Sequence, residues 1–297
     1  MNMNAKSDHK RIGKEREQAT RRFLFPLSQD LDRSLPRSPT QAGLIAHKVA
    51  NRLVGKGSCF FISVARVPWC VTARHVICDQ ARDAISIENR NGLFVLVGSG
   101  ANTKSISLNG RHFFAHGLLD MAAFPLGFDE AAALGSVIYP IPRQTVVDSL
   151  AWSAVGFPGK LNIQGEGARQ LDRSLARLFL YGAETLPTRL WNPARSPADF
   201  RAFQFHQSKM RSESGDLIKE PDIRGMSGSP VLGGRLDSRG VNWCLEGMLM
   251  EYHASEERAV MLSLSAIVRT LEELVAHVMK RPSGSGAPTD GPTGWPE

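Results

Sequence analysis

Apolar residues come in short bursts along this chain, each closed by glycine, proline or a polar cluster. SCFFISV (58–64) and WCVTARHV (69–76) combine aromatic and β-branched residues across a short turn at 66–68, the pattern of a hairpin. LFVLVG (93–98), HFFAHG (112–117) and MAAFPL (121–126) follow. A second group runs through LAWSAVGFP (150–158), LARLFLYGA (175–183), SPVLGG (229–234), WCLEGMLMEY (243–252) and AVMLSLS (259–265). Many short strands separated by turn signals predict an all-β sandwich or barrel. The period changes at AIVRTLEELVAHVMK (266–280), where Ile267, Leu271, Leu274, Val275 and Val278 share one face and predict a C-terminal helix. Residues 129–148 join the two groups, and 184–222 read as long loops. No internal repeat is visible.

The two ends differ from this body. Residues 1–42 are polar and interrupted by Pro26, Pro36 and Pro39, and residues 281–297 are rich in Gly, Pro and Ser, so both read as disordered tails. The chain has 297 residues, and its body, 43–280, is long enough for one large domain or two small ones. Much of the formal net charge of +7 lies in Lys6, Lys10, Arg11, Lys14, Arg16, Arg21 and Arg22. That arm reads first as a solvated tail. A nucleic-acid-binding arm is the alternative, but no RNA-binding aromatic motif or zinc pattern accompanies it, so nucleic acid is not the expected partner. No apolar run is long enough to span a membrane, and the N-terminus lacks the layout of a secretory signal, which leads us to expect a cytoplasmic protein. The four cysteines do not resemble a disulfide framework, although Cys59 and Cys78 flank the hairpin and are candidates for proximity. Oligomeric state is not legible.

Three segments carry candidate chemistry. IRGMSGSPVLGG (223–234) concentrates glycines around Ser227, and glycine is useful where φ must be positive or another atom must come close. His75 ends an apolar strand, and Asp120 interrupts the apolar LLDMAAF. Singly, each has an ordinary structural reading: a Gly/Ser turn, a strand-end histidine, a turn-capping aspartate. Together they supply what a hydroxyl nucleophile requires, a base and a carboxylate to orient it. Other motifs are weaker. GEG (165–167) is too short for a phosphate loop. His112 and His116 have the spacing of helical metal ligands but lie in an apparent strand without a carboxylate, so no metal site is read.

VTARHV resembles the TAAH signature around the histidine of trypsin-like (chymotrypsin-fold) serine peptidases. GMSGSP resembles their GDSGGP signature, LDMAAF resembles the context of their aspartate, and the order His, Asp, Ser is theirs. The likeness covers about residues 43–280 and is closest to bacterial forms without disulfides. It implies two antiparallel six-stranded β-barrels, one over about 43–140 and the other over about 149–265, followed by the helix 266–280. It also implies a serine endopeptidase acting on a polypeptide substrate, with no cofactor. In that frame Ser227 is the nucleophile, His75 the base and Asp120 its orienting partner, and the N–H groups of Gly225 and Ser227 form an oxyanion hole. Pro221, Asp222, Met250, Glu251 and Tyr252 fall at the substrate pocket. Pro221 stands where a trypsin-type pocket places its acid, which favours small or aliphatic side chains; a loop shift of one residue that brings in Asp222, or Glu251 from the other wall, would restore an acidic pocket. Met226 replaces the aspartate that locks zymogen-type enzymes, so an activation switch of that kind is not expected. Ser229 replaces the family's second glycine. A catalytically silent binding module on the same fold is the alternative reading.

Overall fold

The hairpin forms around Ala65 and Arg66, one residue earlier than the sequence suggests. Their φ values of 49° and 65° are both positive, as a two-residue turn between right-twisted strands requires. It joins β2 (Arg52–Val64) to β3 (Val67–Ala73). The computed structural model describes residues 42–280 apart from 50–51, 78–91, 99–102, 136–137, 140, 142–148, 150, 160–161, 163–174, 185–195, 206–209, 213–214, 220–221 and 238–239. The expected terminal tails, Pro221 and Cys78 lie outside the described residues.

The fold is all-β with a C-terminal helix. The first sheet adds β1 (Ala42–Val49), β4 (Leu93–Val97), β5 (Lys104–Ser107), β6 (Phe114–His116), β7 (Met121–Pro125) and the short β8 (Ile138–Tyr139). Its order is β5-β4-β1-β2-β3-β7-β6, with β8 parallel to β2. The second sheet contains β9 (Ala151–Gly156), β10 (Ala176–Glu184), β11 (Phe200–Phe205), β12 (Arg211–Ser212), β13 (Pro230–Asp237), β14 (Gly240–His253) and β15 (Arg258–Ser263). Here the ladder β11-β15-β14-β13-β9-β10 returns from β10 to β11, closing a six-stranded antiparallel barrel. Closure pairs all six strands on both sides apart from overhanging ends, such as β14 beyond Leu249 on its β13 side. The barrel interior is filled by Trp152, Leu178, Leu180, Phe203, Phe205, Val231 and Met261.

Burial along β2 explains its sequence. Residues 57–62 are all buried, so this strand is covered on both faces and reads as a continuous apolar run instead of an alternating one. The central helix of the C-terminus, α3 (Leu264–Lys280), begins where Ser263 Oγ accepts the Ala266 N–H at 3.3 Å, an N-cap bond. Its apolar face, Ala266, Ile267, Leu271 and Leu274, enters the core shared with both sheets, as the periodicity predicts. Arg269 ties the helix to the buried Asp199 at 2.8 Å, just before β11. That strand lies inside the segment expected to be loop. A helix, α2 (Phe128–Leu134), likewise occupies part of the expected connection. Among the described residues no helix is long and apolar enough to cross a membrane.

Candidate functional site

The expected strand 69–76 stops at Ala73. Arg74–Ile77 form a single helical turn, α1, anchored by the buried Val76 and Ile77, so His75 sits on its rim and not on a strand. Ala73 pairs with Met121 at the adjoining ends of β3 and β7. Because the strands are antiparallel, the residues just after Ala73 and just before Met121 emerge at the same end. That register brings His75 and Asp120 together.

Asp120 carries φ of 49°, a conformation that aspartate accepts more readily than most residues. The turn is closed by Asp120 N–H donating to Gly117 O at 3.2 Å and Leu119 N–H donating to His116 Nδ1 at 3.3 Å. Asp120 O accepts the Arg74 N–H at 2.7 Å. Its carboxylate then grips His75 twice. Oδ1 accepts the backbone N–H at 3.1 Å, and Oδ2 accepts from the ring Nδ1 at 2.6 Å. A carboxylate can only accept here, so Nδ1 carries the proton and Nε2 is left as the basic nitrogen. Nε2 makes no hydrogen bond to a described residue, and the side chain is about one third exposed, at 34%. His116 lies behind this turn. Burial lowers its pKa, while Glu273 and Asp199 pull the other way and Arg269 adds to the lowering.

Ser227 is the second residue of the latter of two consecutive tight turns, which share Met226. Met226 N–H donates to Ile223 O at 3.0 Å, and Ser229 N–H donates to Met226 O at 3.0 Å. The third residue of each turn is a glycine with positive φ, Gly225 at 91° and Gly228 at 86°, as type II turns need. Space adds a second reason for glycine. A Cβ on Gly225 would lie 2.5 Å from Gly159 N, and one on Gly228 would lie 2.1 Å from Ser58 O. Ser229 needs no positive φ, so the departure from a second glycine is accommodated. Its hydroxyl occupies the space over Gly156, where an added Cβ would meet Ser229 Oγ.

Five successive carbonyls of this segment are held. Besides Ile223 O and Met226 O, Arg224 O accepts Gly159 N–H at 2.6 Å, Gly225 O accepts Ser58 Oγ–H at 3.2 Å, and Ser227 O accepts Ser58 N–H at 2.9 Å. The N–H groups of Gly225 and Ser227, by contrast, have no acceptor among the described residues. In a planar trans peptide the N–H points opposite to the C=O. Fixing Arg224 O on Gly159 therefore aims the Gly225 N–H outward, and fixing Met226 O does the same for Ser227. Two fixed, unused donors flanking a hydroxyl suit a developing oxyanion. Ser227 Oγ makes no hydrogen bond to a described residue. Met226, where the resemblance would place a zymogen's locking aspartate, is fully buried in one cluster with Ile223.

The first sheet reaches this segment through Ser58 on β2. Thr72 Oγ–H donates to Ser58 O at 2.7 Å, and Thr72 lies three residues before His75. Ser58, Thr72 and Gly159 were not singled out in the sequence. The fully buried run after GKGS was the available signal for Ser58.

The pocket candidates are dispersed in their roles. Asp222 is buried, and its carboxylate takes Arg224 Nε at 3.0 Å and Nη2 at 2.7 Å. That bonding pushes the Arg224 pKa up from its ordinary value. Met250 is fully buried in the core. Glu251 lies 3.5 Å from His253 Nε2, and Tyr252 stands edge-on to Phe205 with ring centres 6.4 Å apart. Burial pushes the Cys70 thiol up, and the neighbouring Cys59 adds to the rise. Both are free thiols. Among the described residues no cluster of His, Cys, Asp and Glu could hold a metal ion.

Comparison with protein-family models and with curated proteins finds no match. Among solved structures, the chain is similar to an inactive form of Rv3671c from M. tuberculosis H37Rv, a serine-to-alanine mutant. The two share 16% identity over 83% of this chain and 90% of that one, with a TM-score of 0.42. It is also similar to a structure from work on the Sesbania mosaic virus VPg protein, whose coupled folding and binding is driven by aromatic interactions. That match has 15% identity over 80% of this chain and 90% of the other, with a TM-score of 0.40.

Proposed function

We propose that this chain is a serine endopeptidase of the trypsin-like kind. The observation that carries the reading is the double grip of Asp120 on His75, with Nδ1 at 2.6 Å from Oδ2. It fixes the imidazole in the tautomer a general base needs. In the proposed reaction Nε2 of His75 removes the Ser227 hydroxyl proton as Oγ attacks the carbonyl carbon of a peptide bond. The tetrahedral oxyanion is received by the N–H groups of Gly225 and Ser227. His75 then returns the proton to the leaving amine, and water hydrolyses the acyl-serine by the same route in reverse. Each unused backbone donor contributes about 3–4 kcal/mol to such a step in comparable sites. No cofactor is required by this chemistry. The substrate is a polypeptide whose extended backbone lies along β14 near Met250, Glu251 and Tyr252, beyond the point where β13 ceases to pair at Met248.

Labelling by a fluorophosphonate tests the reading. The wild type should form a covalent adduct at Ser227, and Ser227→Ala and His75→Ala should form none. The unbonded Ser227 hydroxyl is the one observation favouring a catalytically silent module on the same fold. A folded wild-type protein that takes no label and cleaves nothing in a peptide library would establish that alternative.

A further inference from the structure

We propose that Ser58 is a positioning residue for the nucleophile turn, an inference that rests on the serine-nucleophile reading above. Ser58 belongs to the first sheet, yet three of its four hydrogen bonds reach Phe157, Gly225 and Ser227, in loops flanking strands of the second. It is fully buried, and every polar group it has is committed. Its N–H donates to Ser227 O at 2.9 Å, and its carbonyl accepts from Thr72 at 2.7 Å. Its hydroxyl accepts the Phe157 N–H at 2.9 Å and donates to Gly225 O at 3.2 Å. The direction of the last two bonds is forced. An amide N–H can only donate, so the hydroxyl accepts from Phe157 and its single proton is left for the carbonyl.

The peptide plane between Gly225 and Met226 separates the two outward donors, Gly225 N–H and Ser227 N–H. Ser58 Oγ holds that plane by its oxygen, and Ser58 N holds the carbonyl after Ser227. The same plane is held at its other end by Met226 N–H donating to Ile223 O at 3.0 Å, so the Ser58 hydroxyl completes the clamp that fixes the angle between the donors. Gly156 makes room for it, since a Cβ there would lie 2.7 Å from Ser58 Oγ. Removing the hydroxyl strips Gly225 O and Phe157 N of their partner together. The turn then loses its orientation without losing Ser227, His75 or Asp120.

The test compares Ser58→Ala and Ser58→Thr with wild type, using the fluorophosphonate labelling rate at Ser227 and kcat and KM on a peptide substrate. Ser58→Ala should lower the labelling rate and kcat by about 10- to 100-fold, the scale of a small misplacement of reacting groups. KM should stay within about threefold of wild type, because substrate binding is not what Ser58 serves. Ser58→Thr keeps the hydroxyl and should recover most of the rate. If Ser58→Ala does not fold, Ser58→Cys, with a weaker donor and acceptor, should label at an intermediate rate. A Ser58→Ala or Ser58→Cys protein labelling at the wild-type rate would overturn the proposal. So would a loss confined to KM, or a Ser58→Thr protein as slow as Ser58→Ala. A wild type that never labels at Ser227 would instead remove the underlying reading, and this one with it.

Discussion

Gly228 offers the sharpest test of how the Ser227 turn is built. An alanine there suffers twice. Its φ of 86° is strained for a residue with a Cβ, and that Cβ would lie 2.1 Å from Ser58 O and 2.5 Å from Thr72 Oγ1. The strain costs about 1–2 kcal/mol and the overpacking about 1–3 kcal/mol, giving about 2–5 kcal/mol together. Gly215 supplies an internal control. Its φ is 92°, almost the same, but nothing lies within 4 Å of an added Cβ. Gly215→Ala should therefore show the strain alone, about 1–2 kcal/mol. Urea unfolding followed by tryptophan fluorescence reads both. With m near ~2.5 kcal/mol/M, Gly228→Ala should lower the midpoint by about 1–2 M and Gly215→Ala by less than about 1 M. Ordinary contact distance can be regained only if the turn moves away from β2 by more than an ångström. Labelling of Ser227 should then slow by about 100-fold in Gly228→Ala. Gly215→Ala should label at the wild-type rate. Equal midpoint shifts in the two variants, or an undiminished labelling rate in Gly228→Ala, would refute the close approach of β2 to this turn.

Asp120→Asn should keep the fold, because asparagine also accepts positive φ, but lower kcat by about 10⁴ through the wrong imidazole tautomer. Near-wild-type turnover in that variant would contradict the role given to Asp120. Arg224→Ala should release the buried Asp222 carboxylate and introduce cleavage after Lys or Arg in a peptide library, whereas wild type should favour small or aliphatic residues; wild-type cleavage after Arg would show the pair does not occupy that acid. His116 should make stability fall with acidity. Its folded pKa is lowered, so the unfolded chain binds the proton first, and stability present above the ordinary value of 6.5 is lost as pH drops below it towards the folded value. Urea midpoints of wild type and His116→Gln should diverge below that point, and parallel curves would contradict it.

The geometry of the candidate site was partly legible because its requirements are local. Positive φ at Gly225 and Gly228 forces glycine, and the spacing of those glycines around Ser227 follows from consecutive turns. The hairpin and α3 were legible from aromatic, β-branched and helical periodicity. His75 was found but placed on a strand, since nothing in VTARHV marks where extended backbone gives way to a helical turn. β1 escaped notice because its buried positions include small residues facing bulk elsewhere. An added Cβ at Gly43, for example, would lie 2.7 Å from Cys59 Sγ. β11 was hidden among Pro187, Pro193 and Pro197, although Phe200, Phe203 and Phe205 are fully buried. Ser58 and Gly159 act through hydrogen bonds to residues far along the chain, and no local pattern records such a bond.

The bond between Ser58 Oγ and Gly225 O spans 167 positions of sequence. Contacts that close so long a loop form late, after the local hairpins that reward folding early. A chain still on the ribosome, with β1 to β8 complete, already holds His75 and Asp120 but no nucleophile. A chain with its barrel formed but not yet docked on the first sheet holds Ser227 on a turn whose Gly225 carbonyl is unanchored. On the proposed reading, hydrolytic power would thus arrive with the last step of folding. Nascent and half-folded copies would be chemically silent, and the onset of Ser227 labelling during refolding would time the docking of the two sheets.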